Sequence, residues 1–130
     1  MAEWKIMDDL HYTETDEWLR VEGEFAFVGV TDYAQDQLSD IVYVELPSVG
    51  DSFAQGETFG VIESVKAAAD MHMPASGEVV EVNSALEDTP EIVNEDPYGT
   101  WFIKIRLSDA GALKGLMDAA AYKANIAARA

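Results

Sequence analysis

The sequence predicts a mainly β fold, a sandwich or barrel that carries short helices. Runs rich in Val, Ile, Phe and Tyr recur up to about residue 107, and Gly, Pro, Asp or Asn bound them. Turn residues recur about every 8 to 12 positions, a spacing typical of sandwiches and barrels. The rest of the chain is rich in Ala and has helical periodicity, which predicts a helical tail on the β core.

Seven strands are predicted from these runs. The tightest bends between them are expected at glycines, because glycine tolerates conformations that other residues avoid; these are Gly23, Gly50, Gly56 and Gly77. In chain order the strands are expected near residues 18–22, 24–30, 41–46, 58–64, 67–73, 77–82 and 101–107.

Three helical segments are predicted between and after the strands. Thr31 is a good N-cap for a helix over 32–38, with an acid in its first turn. Thr89, followed by Pro and Glu, predicts a single turn to about residue 93. The segment 108–129 is predicted to be helical and broken near Asp118.

The length and charge of the chain limit its function. At 130 residues it is predicted to be one domain, with a core at 10–107 and a tail at 108–130. The net charge of −17 repels phosphate backbones, which argues against nucleic acid, and favours basic patches on other proteins. The sequence has no Cys, so any redox chemistry must come from an attached or bound group.

Several classes of site and location are disfavoured. No basic segment followed by an apolar one opens the sequence, and no apolar run approaches the ~18 residues of a membrane span. We therefore expect a cytoplasmic bacterial protein without a membrane partner, or a mitochondrial matrix protein if the source is eukaryotic. The two histidines, His11 and His72, are far apart, and no calcium loop, phosphate loop or nucleophile elbow occurs. Neither a metal site nor a stand-alone enzyme is predicted.

Lys66 is the only lysine or arginine between Val21 and Ile103, a stretch rich in carboxylates. A lysine that acts as a base or forms a Schiff base needs burial or neighbouring cations, and a stretch rich in carboxylates suits neither role for Lys66. It lies between two predicted strands and is expected at a hairpin tip. A lysine on a rigid tip suits covalent modification in a swinging-arm carrier, and the alternative is an ordinary solvated side chain.

Seven segments of the sequence, in order and in register, carry a resemblance to a known family. They comprise Glu17-Trp18 and residues 29–35, 40–47, 63–67, 74–83, 93–99 and 101–105. With these segments, which include Glu-Ser-Val-Lys-Ala around Lys66, the chain resembles the H proteins of the glycine cleavage system. Those proteins are lipoylated carriers.

The resemblance implies a fold, a cofactor and partners. The fold is a β-sandwich of the lipoyl and biotinyl carrier type (a barrel-sandwich hybrid) with short helices and a C-terminal helical segment. The cofactor is (R)-lipoate in amide linkage on Lys66. The chain would shuttle the aminomethyl group from glycine decarboxylase (the P protein) to aminomethyltransferase (the T protein). Dihydrolipoamide dehydrogenase (the L protein) would then reoxidise the arm, so the carrier itself is not an enzyme.

Four further residues are assigned roles by the same resemblance. Glu63 and Gly77 match positions recognised by the lipoylating enzyme, a lipoate–protein ligase or a lipoyl/octanoyl transferase. Gly77 is also expected to be a turn residue with positive φ, where a β-branched side chain would be strained. Glu17 and Asp70 match acids that face the docked, protonated amine, and the alternative for either acid is ordinary surface.

The chain departs from the family pattern at three places. Asp16 stands where the family usually has His, and it adds negative charge beside the expected amine site. Ser39 stands where the family commonly has Gly, and one residue is missing between Gly99 and Trp101.

Two other carrier functions compete with glycine cleavage. An H-like lipoyl protein that relays lipoate or serves sulfur metabolism requires the same residues around Lys66, so the motif does not separate it. A biotin carrier is disfavoured, because its modified lysine usually lies between methionines and here Val65 and Ala67 flank it.

Overall fold

The structure is a computed structural model that describes residues 4–108, 113 and 115–129. Within these residues the chain forms nine strands and four helices. The strands are β1 (His11–Tyr12), β2 (Glu17–Glu22), β3 (Phe25–Val30), β4 (Ile41–Glu45), β5 (Ser52–Phe53), β6 (Thr58–Ser64), β7 (Ala68–His72), β8 (Gly77–Val82) and β9 (Ile103–Leu107). The helices are α1 (Asp32–Leu38), α2 (Ala85–Asp88), α3 (Ile92–Glu95) and α4 (Ala119–Arg129).

The strands form two antiparallel sheets. The larger sheet has the order β1-β2-β3-β9-β8-β5, and the smaller has the order β4-β6-β7. Val28 and Ile105 of the larger sheet are buried in one apolar cluster with Ile62 and Met71 of the smaller sheet. This arrangement confirms the predicted mainly β sandwich with short helices, because each sheet buries one face against the other.

The predicted long strands are all present, and the differences lie in short elements. Strands β1 and β5 and helix α2 were not predicted, since two to four residues are too few to show a period. Thr89 does not open a helix. It ends α2, where its hydroxyl donates to the Ala85 carbonyl at 2.9 Å, and α3 begins only at Ile92.

The C-terminal helix packs against the larger sheet through aromatic side chains. The helix predicted before Asp118 is wrong for the described residues 115–117, where Met117 forms a bridge with Tyr12, and the tail is helical from Ala119. The Asp118 carboxylate accepts from the Ala121 N–H at 2.8 Å as α4 begins. The rings of Tyr12 and Tyr122 stack with their centroids 4.6 Å apart, and Ile126 is buried beside them. The part of the predicted tail at 109–112 and Lys114 lies outside the described residues. No helix in the described part of the chain is long and apolar enough to cross a membrane.

Ser39, which ends α1, provides a test of backbone strain. Its φ of 71° and ψ of −150° fall in a region that is favourable almost only for glycine. The side chain is exposed, so Ser39→Gly removes strain and little else. We expect the free energy of unfolding to rise by about 1 kcal/mol, measured by urea denaturation. Ser84→Gly is the matched control: with φ of −64° it should lower stability, and a gain of equal size there would contradict the strain.

Candidate functional site

Lys66 lies in the tight turn between β6 and β7. The Ser64 side-chain oxygen accepts from the backbone N–H groups of Lys66 and Ala67 at 3.2 and 3.0 Å, and the Ser64 N–H donates to the Ala67 carbonyl at 2.7 Å. The Val65 N–H donates to the Asp40 carbonyl at 3.1 Å, which fixes the turn to the residue preceding β4. The backbone of the turn is therefore held at four points, and the predicted hairpin tip is confirmed.

The side chains at this tip face solvent. Lys66 and Ala67 are exposed, and Val65 is 66% exposed, a large fraction for a β-branched apolar residue. None of the ion pairs among the described residues involves Lys66. The ammonium group is therefore open to another protein, with small neighbours that leave room around it.

Glu63 occupies the strand that leads into the turn. It is half-buried on β6, where it pairs with Tyr43 of β4 and Ala68 of β7. Because side chains alternate along a strand, Glu63 shares the outer face of the smaller sheet with these cross-strand partners. Its carboxylate therefore lies on the face beside the tip that carries Lys66.

Gly77 lies elsewhere, and its expected turn geometry is wrong. It is the first residue of β8, beyond the far end of β7 from Lys66, and it is absent from the residues with positive φ. A Cβ on Gly77 would lie 2.6 Å from the Arg106 carbonyl oxygen of the neighbouring strand β9. Glycine is required here by close approach of the backbone, and the residue is buried.

The Glu17 carboxylate is buried and accepts hydrogen bonds at both of its oxygens. Its side chain accepts from the hydroxyls of Thr13 and Thr15 through Oε1, at 2.7 and 2.5 Å. Its Oε2 accepts from the backbone N–H of His72 at 3.0 Å, and the whole residue is only 1% exposed. A carboxylate with three donors around it is held in one orientation, which is the requirement for holding a ligand cation.

Burial raises the pKa of the Glu17 carboxyl above its ordinary value of 4.5, and hydrogen bonds from Thr15, Thr13 and His72 only partly offset this effect. The folded state thus favours the protonated form of Glu17 more than the unfolded chain does. The stabilisation that Glu17 contributes is fully present below about pH 4.5 and is lost as the pH rises through the raised pKa.

A titration checks this behaviour of Glu17. The Glu17 carboxyl carbon, followed by NMR, should titrate above the ordinary value of 4.5. The unfolding free energy of the wild type relative to Glu17→Gln should fall as the pH rises through the Glu17 midpoint. A Glu17 midpoint below 4.5 would contradict the dominance of burial over the hydrogen bonds.

Glu17 and Asp70, the two acids that the resemblance assigns to the amine, line the same cleft. The cleft has a volume of about 210 Å³ and lies along β7, which is an edge strand of the smaller sheet. Asp70 is exposed at its rim, and helix α1 contributes Ala34 and Leu38 to its wall. Asp70 is two residues from the start of β7, about 7 Å along the strand, so the cleft is near the Lys66 tip.

Several partners of this cleft were not predicted. The hydroxyls of Thr13 and Thr15 were detectable, because a Thr two or four residues before an acid can bond to it locally. The His72 N–H was not detectable, since 55 residues separate it from Glu17 and only the docking of β7 brings them together. Groups of three or more His, Asp or Glu side chains that could hold a metal ion are absent from the described residues.

The Asp16 carboxylate is paired, so it is not the free charge that the sequence suggested beside the amine site. Two guanidinium nitrogens of Arg129 donate to its oxygens at 2.6 and 3.1 Å, and the Tyr122 hydroxyl donates at 2.9 Å. The hydrogen bond to Asp16 is also the main cause that raises the pKa of Arg129. The negative charge at position 16 is thus neutralised from the C-terminal helix.

Comparison with known proteins agrees with this geometry. Residues 10–129 match the family model of the glycine cleavage H-protein. The chain is 56% identical over 117 residues to the glycine cleavage system H protein of Bacteroides thetaiotaomicron, covering 89% of this chain and 93% of that one. It is 54% identical over 126 residues to the H protein of Marinobacter nauticus, covering 95% and 97%.

A solved structure is also similar. The crystal structure of a glycine cleavage system H protein from Mycobacterium marinum superposes with a TM-score of 0.87 at 36% identity. The match covers 94% of this chain and 99% of that chain. With matches of this extent in sequence and in structure, the chain belongs to the glycine cleavage H-protein family.

Proposed function

We propose that this chain is the lipoylated carrier of a glycine cleavage system, with (R)-lipoate in amide linkage to Nζ of Lys66. The single observation that carries the proposal is the exposed, unpaired Lys66 on a turn whose backbone is held by four hydrogen bonds. Such a tip holds the attachment point of the lipoyl arm in place, while the far end of the arm reaches different enzymes. When bound, lipoate supplies the two sulfurs of a redox-active disulfide, which the chain itself lacks because it has no Cys.

The partners follow from this role. The chain receives the aminomethyl group at glycine decarboxylase, delivers it to aminomethyltransferase, and presents its arm to dihydrolipoamide dehydrogenase. The charge of −17 favours docking to basic surfaces on these enzymes. The chain contributes no catalytic group to these reactions, and it is proposed to work as a single carrier domain in the cytoplasm.

Glu17 and Asp70 are proposed to hold the protonated amine of the loaded arm. Glu17 offers a carboxylate fixed by Thr13, Thr15 and the His72 N–H, and Asp70 offers a second, exposed carboxylate at the rim. Charge-assisted hydrogen bonds to an ammonium group are strong where water is excluded. The apolar side chains of Ala34 and Leu38 supply that exclusion along the α1 wall.

Glu63 and Gly77 are proposed to support lipoylation in different ways. Glu63 lies on the outer sheet face next to the tip, where an attaching enzyme can contact its carboxylate. Gly77 is buried against the Arg106 carbonyl, so it acts through the pairing of β8 with β9 and not through contact with that enzyme.

Glu63→Ala is expected to slow lipoylation by about tenfold or more, the effect of losing one charge-assisted hydrogen bond. Its melting temperature should change little, because none of the ion pairs among the described residues involves this half-exposed carboxylate. The measurement is the initial rate of lipoyl transfer to the apo chain. Glu45→Ala, an exposed acid on β4, is the control and should be lipoylated at the wild-type rate. Equal rates for the two variants would remove the recognition role.

Exchange of the glycine carboxyl group with labelled bicarbonate tests the proposed function. Glycine decarboxylase should catalyse this exchange in the presence of the lipoylated chain and not with the unlipoylated chain. A lipoyl-relay or sulfur-metabolism protein would carry lipoate on Lys66 as well, yet it would not support the exchange. The relatives are named as glycine cleavage proteins, which favours the glycine cleavage function over lipoyl relay or sulfur metabolism. Absence of exchange with fully lipoylated chain would overturn it.

A further inference from the structure

The C-terminal helix reaches the cleft through Arg129, its last residue. The two ends of the guanidinium group bind both carboxylate oxygens of Asp16, an arrangement that fixes direction as well as distance. Asp16 has a φ of 73°, a conformation that costs free energy for a residue other than glycine. Such a conformation persists only when its surroundings hold it, and here the surroundings include α4.

Tyr122 extends the contact from Asp16 to helix α1. Its hydroxyl donates to Asp16 Oδ1 at 2.9 Å, and its oxygen lies 2.6 Å from the Thr31 hydroxyl. Because the single proton of Tyr122 is used on Asp16, Thr31 must be the donor in the second bond. Thr31 in turn accepts from the Ala34 N–H as the N-cap of α1. Burial raises the pKa of Tyr122, which keeps it a donor at neutral pH.

Arg129 also contacts α1 directly. Its guanidinium carbon lies 5.0 Å from the ring centroid of Tyr33, a cation–π contact. Helix α4 thus binds two walls of the cleft at once. One wall is the acid loop, residues 13–17, which carries Glu17 and its two Thr partners, and the other is α1 with Ala34 and Leu38.

We propose that Asp16 and Arg129 are positioning residues for the amine-holding cleft. Through these two residues, helix α4 holds the acid loop in a fixed position relative to α1. This inference rests on the proposed role of Glu17 and Asp70, and it adds residues that act through Glu17, because the Asp16 carboxylate at the cleft is bound to Arg129 and Tyr122. Glu17 follows Asp16 and its Thr partners precede it, so a change in φ at Asp16 moves the carboxylate relative to Thr13 and Thr15. A displaced Glu17 holds the ammonium group less well, and water then reaches the loaded arm sooner.

The experiment measures how fast the loaded carrier loses its aminomethyl group. Lipoylated chain is loaded with glycine and glycine decarboxylase, separated, and followed by release of formaldehyde and ammonia. Arg129→Gln removes the ion pair, and Asp16→Asn removes it while keeping a residue that tolerates a left-handed φ. Each variant should release the group about fivefold faster than wild type. The double variant should release it no faster than either single variant, because one interaction is lost in all three.

Controls separate positioning from simple loss of stability. Ile103→Val weakens the core in β9, away from the cleft. Its melting temperature should fall by about as much as in the Arg129 and Asp16 variants, but its rate of aminomethyl release should equal that of the wild type. Lipoylation of Lys66 should be normal in every variant. The carboxyl titration of Glu17 should shift in Arg129→Gln and stay at its wild-type midpoint in Ile103→Val.

Two results would contradict the proposal, and they differ from failure of the cleft itself. If Arg129→Gln and Asp16→Asn lower the melting temperature but leave the rate of aminomethyl release unchanged, α4 stabilises the fold without positioning Glu17. The same conclusion follows if Ile103→Val accelerates release equally. If the variant that lacks both Glu17 and Asp70 carboxylates also releases at the wild-type rate, the cleft does not hold the amine and the proposed function of those acids fails.

Discussion

Lys66→Arg should abolish lipoylation and reduce glycine–bicarbonate exchange to the level without carrier. Arg keeps the positive charge, but its guanidinium nitrogens do not accept the acyl group that a lysine amine accepts. The side chain is exposed and unpaired, so the free energy of unfolding should change by less than about 0.5 kcal/mol. The loss of function is then chemical and not a loss of fold.

Lys104→Arg is the matched control for this substitution. Lys104 lies on β9, and its ammonium nitrogen is 4.8 Å from the Phe25 ring centroid, a contact that Arg retains. This variant should be lipoylated and active like the wild type. Residual lipoylation of Lys66→Arg, or loss of exchange in Lys104→Arg, would contradict the assignment of the arm to Lys66.

Glu17→Gln combined with Asp70→Asn should make the loaded carrier release formaldehyde and ammonia much faster. Each charge-assisted hydrogen bond to the amine is worth roughly 1.5–3 kcal/mol, so losing even one predicts an acceleration of about 10- to 150-fold. The fold should be retained, since the Gln amide can accept from the His72 N–H and donate to the Thr hydroxyl oxygens. Lys66 should still be fully lipoylated.

A charge-matched control accompanies this double variant. Glu81→Gln with Asp51→Asn removes the same charge from exposed positions that do not line the cleft. It should release the aminomethyl group at the wild-type rate, because net charge alone acts weakly across screened solvent. If the wild type and the Glu17→Gln, Asp70→Asn variant release the aminomethyl group at equal rates, those two acids do not hold the amine of the arm.

Local sequence patterns were sufficient for much of the fold. Strands such as β6 and β8 are runs of apolar and β-branched residues bounded by turn residues, and their ends agree with the prediction. Strand β1 was missed because only its partners define it: Tyr12 pairs with Trp18 and forms a bridge with Met117. Thr89 was misassigned because the same Thr-Pro pattern suits the end of α2 as well as the start of α3.

The site was predictable where it is local and not where it depends on tertiary contacts. Lys66 and Glu63 lie three residues apart on one hairpin, so the sequence alone places them together. Gly77 was assigned a positive φ from its neighbours, whereas its requirement comes from the Arg106 carbonyl of the adjacent strand. The partner of Asp16 is Arg129, 113 residues away, and no local pattern connects them.

Mass mapping of the chain purified from lipoate-replete cells tests the central claim most directly. The account predicts one lipoyl group per chain, on the peptide that contains Lys66, and none on the peptide that contains Lys104. Lys66 is expected to be modified because it is exposed and unpaired at a rigid hairpin tip, whereas Lys104 lies within β9 over aromatic rings. A biotinyl group on Lys66, or a lipoyl group on Lys104 with Lys66 unmodified, would contradict the account.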